Sequence, residues 1–212
     1  MRIIIIFLLL FVFANTHAQN IETTLDKQNA SSDAFYNNPE EEFLKGYTKV
    51  FDVAGHEKSN GTDWSLKIPL SWKAVESEEP NIIQEFISEE GKGKESVTLM
   101  LMDLPIEDQI TERDIKGYFT ARRMKKHLPE NSRFKKAGKM TFDGINGGFL
   151  EYELPLEYSN LNASVFMSSF IYDKKLYLIF CGVKRNSHES KDIERFSKLF
   201  RLITSSIMVK RL

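Results

Sequence analysis

The clearest structural pattern in this chain lies in one stretch: Trp64-Ser65-Leu66-Lys67-Ile68-Pro69-Leu70-Ser71-Trp72. Its first five residues alternate between large apolar and polar side chains, which is typical of a β-strand with one buried face. Pro69 cannot donate a backbone hydrogen bond, so we expect it to end the strand or to lie at a sheet edge. Trp72 follows three residues later and can fold back under the sheet.

The residues upstream predict a partner for this strand. Asn60-Gly61 is a dipeptide that readily adopts the two positive φ angles of a type I′ turn. The run Tyr47 to Val53 precedes it. We therefore expect the two runs to form a hairpin at the start of the folded domain.

Further strands follow along the chain. The run 82–87 alternates loosely, and the run 97–102 is apolar on both sides, as in a central strand covered on both faces. Three later runs are Arg133 to Phe142, Gly147 to Leu154 and Asn162 to Tyr172, the last paired with Leu176 to Val183 across Asp173-Lys174-Lys175. Either Asp143-Gly144 or Asn146-Gly147 makes the turn between the first two.

Two segments have helical periodicity. Residues 111–128 begin with a capping pair, Thr111 and Asp114, and end before Pro129. On this helix Gly117 and Ala121 would permit a close approach to a sheet. Residues 191–208 carry apolar side chains within about 120° of the helical wheel, with Ser190 as N-cap, which indicates an amphipathic helix.

This order of elements predicts the fold class. Strands linked by hairpins form an antiparallel sheet, and two helices with one apolar face each must pack on it. The expected fold is therefore α+β, an antiparallel sheet flanked by helices in an α/β/α sandwich. A chain of 212 residues is long enough to bury a core without disulfides.

The N-terminus predicts export. Met1-Arg2 is followed by an apolar run from Ile3 to Phe13 and by Thr16-His17-Ala18, a pattern typical of a secretory signal cleaved after Ala18. The apolar run is too short for a membrane span, which needs about 20 residues. We therefore expect a signal peptide (1–18), a flexible polar arm (19–43) and a single α+β domain (44–212), located in a periplasm or outside the cell, with no transmembrane span after cleavage.

The strand from Trp64 to Pro69, together with Trp72, resembles the pattern of the Mog1/PsbP-like fold group. The order of elements from Tyr47 to Met208, with a closing amphipathic helix, is also similar. Members of that group are mainly non-catalytic and include extrinsic photosystem II proteins, a Ran-binding protein and chaperones for secreted effectors. The resemblance implies a binding or accessory module, and it carries no ligand or partner residue over to this chain.

The residue types that usually carry catalysis form no recognisable motif. Cys181 is the only cysteine and lies in an apolar strand pattern. After export the histidines are His56, His127 and His188, without zinc-ligand spacing. There is no nucleophile elbow and no phosphate-binding loop. Glu151 and Glu153 share one strand face, which permits an acid/base pair and leaves a carboxylate-dependent hydrolase open.

The strongest anomaly is a run of positive charge. Residues 113–139 contain only two acids, Asp114 and Glu130, against ten bases: Arg113, Lys116, Arg122, Arg123, Lys125, Lys126, Arg133, Lys135, Lys136 and Lys139. A basic face could attract an anionic partner, although a solvated helix exterior would look the same. The near-neutral total charge argues against a general nucleic-acid binder.

Together these patterns predict an exported, soluble, non-catalytic binding or accessory module. We expect contacts with another protein or an anionic envelope component through the basic segment around Arg122, Arg123 and Lys126, or through the sheet face beside Trp72. We expect no catalytic residue, metal or cofactor. The alternatives are the hydrolase using Glu151 and Glu153, and a structural envelope protein without a discrete ligand.

Overall fold

The structure is a computed structural model that describes residues 38–91, 93–104, 111–155, 161–186 and 192–210. Its strands are β1 (Thr48–Asp52), β2 (Trp64–Pro69), β3 (Lys73–Val75), β4 (Ile82–Ile87), β5 (Glu95–Asp103), β6 (Arg133–Phe142), β7 (Ile145–Pro155), β8 (Leu161–Tyr172), β9 (Lys175–Asn186) and β10 (Met208–Val209). Its α-helices are α1 (Pro39–Leu44), α2 (Ser88–Gly91), α3 (Glu112–Tyr118), α4 (Ala121–Met124) and α5 (Asp192–Ser205). The predicted signal peptide, the arm up to residue 37, His188 and Ser190 lie outside the described residues.

The described strands form two antiparallel sheets. A seven-stranded sheet has the order β3-β4-β5-β9-β8-β7-β6, and a three-stranded sheet has the order β1-β2-β10. Helix α5 and the small sheet cover one face of the large sheet, called the α5 face here. Helices α3 and α4 cover the other, the α3–α4 face. The predicted α+β class, with layers on both sides of an antiparallel sheet, is confirmed.

The hairpin of β1 and β2 also forms as predicted, with Phe51 opposite Leu66 and Val50 opposite Lys67. Trp64, Leu66 and Ile68 are buried, while Lys67 is exposed. Asn60 and Gly61 both have positive φ, 49° and 74°. They close a longer connection that contains a 3₁₀ turn at Glu57–Ser59.

The chain after α5 differs from the prediction. The expected helix to Met208 ends at Ser205, and Met208–Val209 instead pairs with β2. At the bend the Ser206 hydroxyl donates to the Ile203 carbonyl at 2.6 Å and accepts from the Lys67 backbone N–H at 2.8 Å. Pairing with the free backbone groups along β2 therefore replaces a further turn of the helix.

The helix predicted over 111–128 is broken. The capping box of Thr111 and Asp114 is present, but Thr120 is extended (φ −79°, ψ 146°) and starts α4. In one continuous helix Phe119 and Met124 would lie about 140° apart around the axis. The break lets both side chains enter the same apolar cluster, where each is 1% exposed.

The close approach of α3 to the large sheet depends on a glycine of the sheet and not on a glycine of the helix. A Cβ on Gly148 of β7 would lie 3.0 Å from Phe119, whereas a Cβ on Gly117 would meet no sheet atom within 4 Å. Ala121 is exposed. The expectation that Gly117 and Ala121 permit the approach is therefore wrong, because the small residue at the contact is Gly148 of the sheet.

Helix α1 takes up the end of the expected polar arm. Asn38 caps it, Pro39 occupies its first turn, and acids follow, which are all favourable at a helix N-terminus. The buried carboxylate of Glu42 accepts from the Ser71 N–H and hydroxyl at 2.7 Å each. Residues 39–43 thus belong to the folded domain, because these bonds fix α1 to the turn after β2.

Candidate functional site

A half-open cavity of about 140 Å³ lies between α5 and the α5 face of the large sheet. Phe166 of β8, Val183 of β9, and Phe196 and Phe200 of α5 form its apolar walls. The two alternating carboxylates of β7, Glu151 and Glu153, lie at its polar end, with Lys135 of β6 and Ser164 of β8. This combination of apolar walls and a few polar groups is typical of a small-ligand site.

A β-bulge brings Lys135 to this end. The pairing of β6 with β7 shifts between Phe134 and Lys136, so Lys135 is an extra residue in the ladder. Its ammonium lies 3.0 Å from one carboxylate oxygen of Glu153, and the Arg133 guanidinium lies 3.6 Å from the other. The Glu153 side chain is only 12% exposed. Bulges often re-aim a side chain in this way beside functional sites.

Glu151 has a different partner. Its carboxylate accepts a charged hydrogen bond from Arg201 of α5. The same guanidinium lies 4.7 Å from the ring centre of Phe149 and 5.2 Å from that of Phe166. Arg201 therefore ties the helix to the sheet through both an ion pair and cation–π contacts.

The cavity holds both carboxylates, as the hydrolase hypothesis requires, but it pairs each with a cation. A hydrolase of this kind needs one protonated and one ionised carboxyl group. The side chain of Tyr152, which lies between the two carboxylates in sequence, packs in the cluster on the α3–α4 face, so its hydroxyl does not serve the cavity. Among the described residues, His56 and His127 do not line this cavity, and no group of three His, Cys, Asp or Glu side chains could hold a metal ion.

Ser164 is the unusual polar group of the cavity. The residue is 9% exposed, and its buried hydroxyl has no hydrogen-bond partner within the part of the chain that the structure describes. Ser168 lies four residues further along the same strand face and is likewise buried without a partner, but it does not line the cavity. The sequence carried a signal here, since serines interrupt an otherwise apolar strand on its covered face, and the cavity itself was not predicted.

The predicted basic residues lie elsewhere, on the α3–α4 side. Arg122 and Arg123 belong to α4, Lys126 to the 3₁₀ turn that follows it at Lys125–His127, and all three are exposed. None of the ion pairs found among the described residues involves these three side chains. We call Arg122, Arg123 and Lys126 the basic surface.

His127 lies beside the basic surface. Its ring is 5.6 Å from that of Tyr118. Burial lowers the pKa of His127, and the charge of Lys126 lowers it further. Burial also raises the pKa of Tyr118.

Trp72 is too deeply buried to contact a partner. It is 1% exposed and belongs to the core cluster between the two sheets, with Trp64 and Phe86. Its predicted role in binding is therefore corrected to a core residue, because its large apolar ring is buried by the hairpin. Cys181 is also fully buried, which raises the pKa of its thiol.

No protein-family model matches the chain, and no curated protein matches its sequence. Among solved structures, it is similar to cyanobacterial PsbP (CyanoP) from Synechocystis sp. PCC 6803, with a TM-score of 0.50, 16% identity, and coverage of 77% of this chain and 93% of that one. This likeness confirms the predicted Mog1/PsbP-like fold.

Two further matches lie below a TM-score of 0.5. The Ran-binding protein Mog1p of Saccharomyces cerevisiae scores 0.49 at 7% identity, covering 76% of this chain and 95% of that one. LpqN of Mycobacterium tuberculosis, described as involved in cell envelope biogenesis, scores 0.48 at 8% identity and covers 79% and 94%. At these identities the likeness concerns the fold alone. No helix among the described residues is both long and apolar enough to cross a membrane.

Proposed function

We propose that this chain is an exported, non-catalytic accessory module that binds an anionic partner through the basic surface. The observation that carries the proposal is that Arg122, Arg123 and Lys126, which are close in sequence, are all exposed and lie outside the ion pairs of the described residues. Clustered cations raise the rate of encounter with an anionic surface and orient it.

The position of these cations supports the proposal. The helix α4 that carries two of them has only four residues and is fixed to the sheet by the buried side chain of Met124. The neighbouring Lys125 lies over the ring of Phe134, 4.8 Å from its centre. The backbone that carries the charges is thus anchored to the sheet, which reduces the backbone entropy lost on binding.

The competing interpretation is that these cations only keep the helix exterior solvated. A charge-reversal experiment separates the two. The variant Arg122→Glu/Arg123→Glu/Lys126→Glu is compared with Lys73→Glu/Lys94→Glu/Lys198→Glu, which changes net charge equally at three exposed lysines elsewhere. Both are used in the form of residues 19–212 to capture partners from the envelope fraction of the exporting cell.

We expect the first variant to lose its partner and the control to retain it. Raising the salt concentration should weaken capture by the unmodified chain, because exposed charges are screened beyond a Debye length of about 8 Å at physiological ionic strength. A separate binding experiment with phosphatidylglycerol vesicles shows whether the partner is an anionic lipid. Equal capture by both variants would remove the basic surface from the proposal.

Export is part of the same proposal. The apolar run Ile3 to Phe13 and the small residues Thr16 and Ala18 support cleavage after Ala18, which shortens the 212-residue chain by 18 residues. The mass and N-terminal sequence of the protein recovered from its own cell test this. A mature chain beginning at Gln19 is the expected result, and an intact Met1 contradicts it.

A hydrolase is the second candidate, because one cavity holds both Glu151 and Glu153. Hydrolysis of p-nitrophenyl glycosides or esters that is abolished by Glu153→Gln would favour it. The ion pairs of Glu153 with Lys135 and of Glu151 with Arg201 argue against catalysis, since each carboxylate is already paired with a cation.

A further inference from the structure

The cavity behind α5 has the size of one ring. Its volume of about 140 Å³ is close to that of an engineered protein cavity of about 150 Å³ that binds benzene. Three of its walls are the phenyl rings of Phe166, Phe196 and Phe200. Aromatic walls favour an aromatic guest, because rings attract one another in offset-stacked and edge-to-face arrangements.

The polar end supplies a hydrogen-bonding pair. Glu153 and Ser164 are directly opposite each other across β7 and β8, a spacing of about 5 Å between Cβ atoms. The Ser164 hydroxyl is buried and has no partner among the described residues, although buried hydroxyls are normally paired. A hydroxyl on a guest could accept from Ser164 and donate to the Glu153 carboxylate, which would satisfy all three groups.

The charges around this end favour a neutral guest. Glu153 is paired with Lys135 and Arg133, and Glu151 with Arg201. An ionised guest would have to displace one of these cations or carboxylates, which would leave an uncompensated charge beside a Glu153 side chain that is only 12% exposed. A neutral hydroxyl leaves both pairs in place.

We propose that the cavity binds a neutral phenolic ring, with the ring against Phe166, Phe196 and Phe200 and the hydroxyl between Glu153 and Ser164. The phenol is either a free molecule or the tyrosine side chain of a partner, since both present the same group. The inference is independent of the basic surface, which lies on the other side of the sheet.

The test is a titration of the ¹⁵N-labelled chain 19–212 with p-cresol and with toluene, which lacks only the hydroxyl. We expect p-cresol to shift the amide resonances of Ser164, Phe166 and Val183 and to bind on the order of tenfold more tightly than toluene. Ser164→Ala should reduce this preference, because the guest hydroxyl then keeps only its bond to Glu153. Ser168→Ala is the matched control, a buried unpartnered serine of the same strand face outside the cavity, and should preserve the difference.

The inference is overturned if p-cresol shifts none of these resonances, if toluene binds the unmodified chain as tightly, or if Ser168→Ala reduces the preference as much as Ser164→Ala does. A blocked Ala-Tyr-Ala peptide assigns the source: tighter binding than p-cresol supports a partner's tyrosine, and weaker binding supports a free phenol. The variant Arg122→Glu/Arg123→Glu/Lys126→Glu should bind p-cresol normally, so a failure of the proposed function leaves this result intact.

Discussion

Lys135 illustrates how a single residue can be misjudged from a pattern. The sequence correctly predicted the strand Arg133 to Phe142, and alternation would place Lys135 on the face opposite Lys136. The bulge between Phe134 and Lys136 places Lys135 against Glu153 instead. A bulge depends on the register of two strands, so the composition of one strand alone does not reveal it.

His127 provides a test of the environment next to the basic surface. Burial and the charge of Lys126 hold its pKa below the ordinary value of 6.5. We expect an NMR titration to show this, and Lys126→Glu to raise the pKa because it replaces a repelling charge with an attracting one. A value at or above 6.5 in the unmodified chain would contradict the described packing of His127.

The same shift predicts a pH dependence of stability. Well above pH 6.5 the His127 ring is neutral in both the folded and the unfolded chain, so it contributes nothing to the pH dependence of stability there. As the pH falls below 6.5, the unfolded chain binds a proton that the folded chain does not, so the free energy of unfolding decreases until the pH passes the folded pKa. His127→Gln should reduce this loss in urea unfolding between pH 7 and pH 5, and an unchanged loss would assign it to other groups.

The helical segments show where periodicity is informative and where it is not. The 3.6-residue pattern located α5 almost to the residue at its start, because one face of that helix packs along the sheet. The pattern over 111–128 predicted one continuous helix, but the helix is interrupted at Thr120. Only this interruption lets both Phe119 and Met124 enter the same apolar cluster. Tertiary packing therefore overrode local propensity at Thr120.

The contact between Phe119 and the sheet can be tested with two glycines. Gly148→Ala should destabilise the domain by about 1–3 kcal/mol, because the new Cβ would lie 3.0–3.2 Å from Phe119 and from the Gly138 carbonyl oxygen. Gly117→Ala should be neutral or stabilise by up to about 1 kcal/mol, because it adds a helix-favouring methyl group whose nearest neighbour, the Arg123 guanidinium, is at an ordinary contact distance of 3.8 Å. Urea unfolding measures both, and the reverse order would restore the original prediction that Gly117 forms the close contact.

For the molecule as a whole, the sequence was sufficient for the fold but not for the site. Alternating strands, turn dipeptides and two amphipathic segments determined an α+β sandwich, since each pattern limits one local structure and few topologies satisfy them all. The cavity escaped prediction because it depends on how α5, β7, β8 and β9 come together. The pairing of Glu151 with Arg201 joins residues fifty positions apart, which no local pattern reveals.

The most direct test of a binding role is the state of the mature chain in its own cell. Native mass spectrometry of the chain purified gently from the envelope fraction would measure it. We predict a stoichiometric complex with an acidic partner for the unmodified chain and for Lys73→Glu/Lys94→Glu/Lys198→Glu, and free chain for Arg122→Glu/Arg123→Glu/Lys126→Glu. Free chain in all three samples, or the same complex in all three, would contradict a partner held by the basic surface.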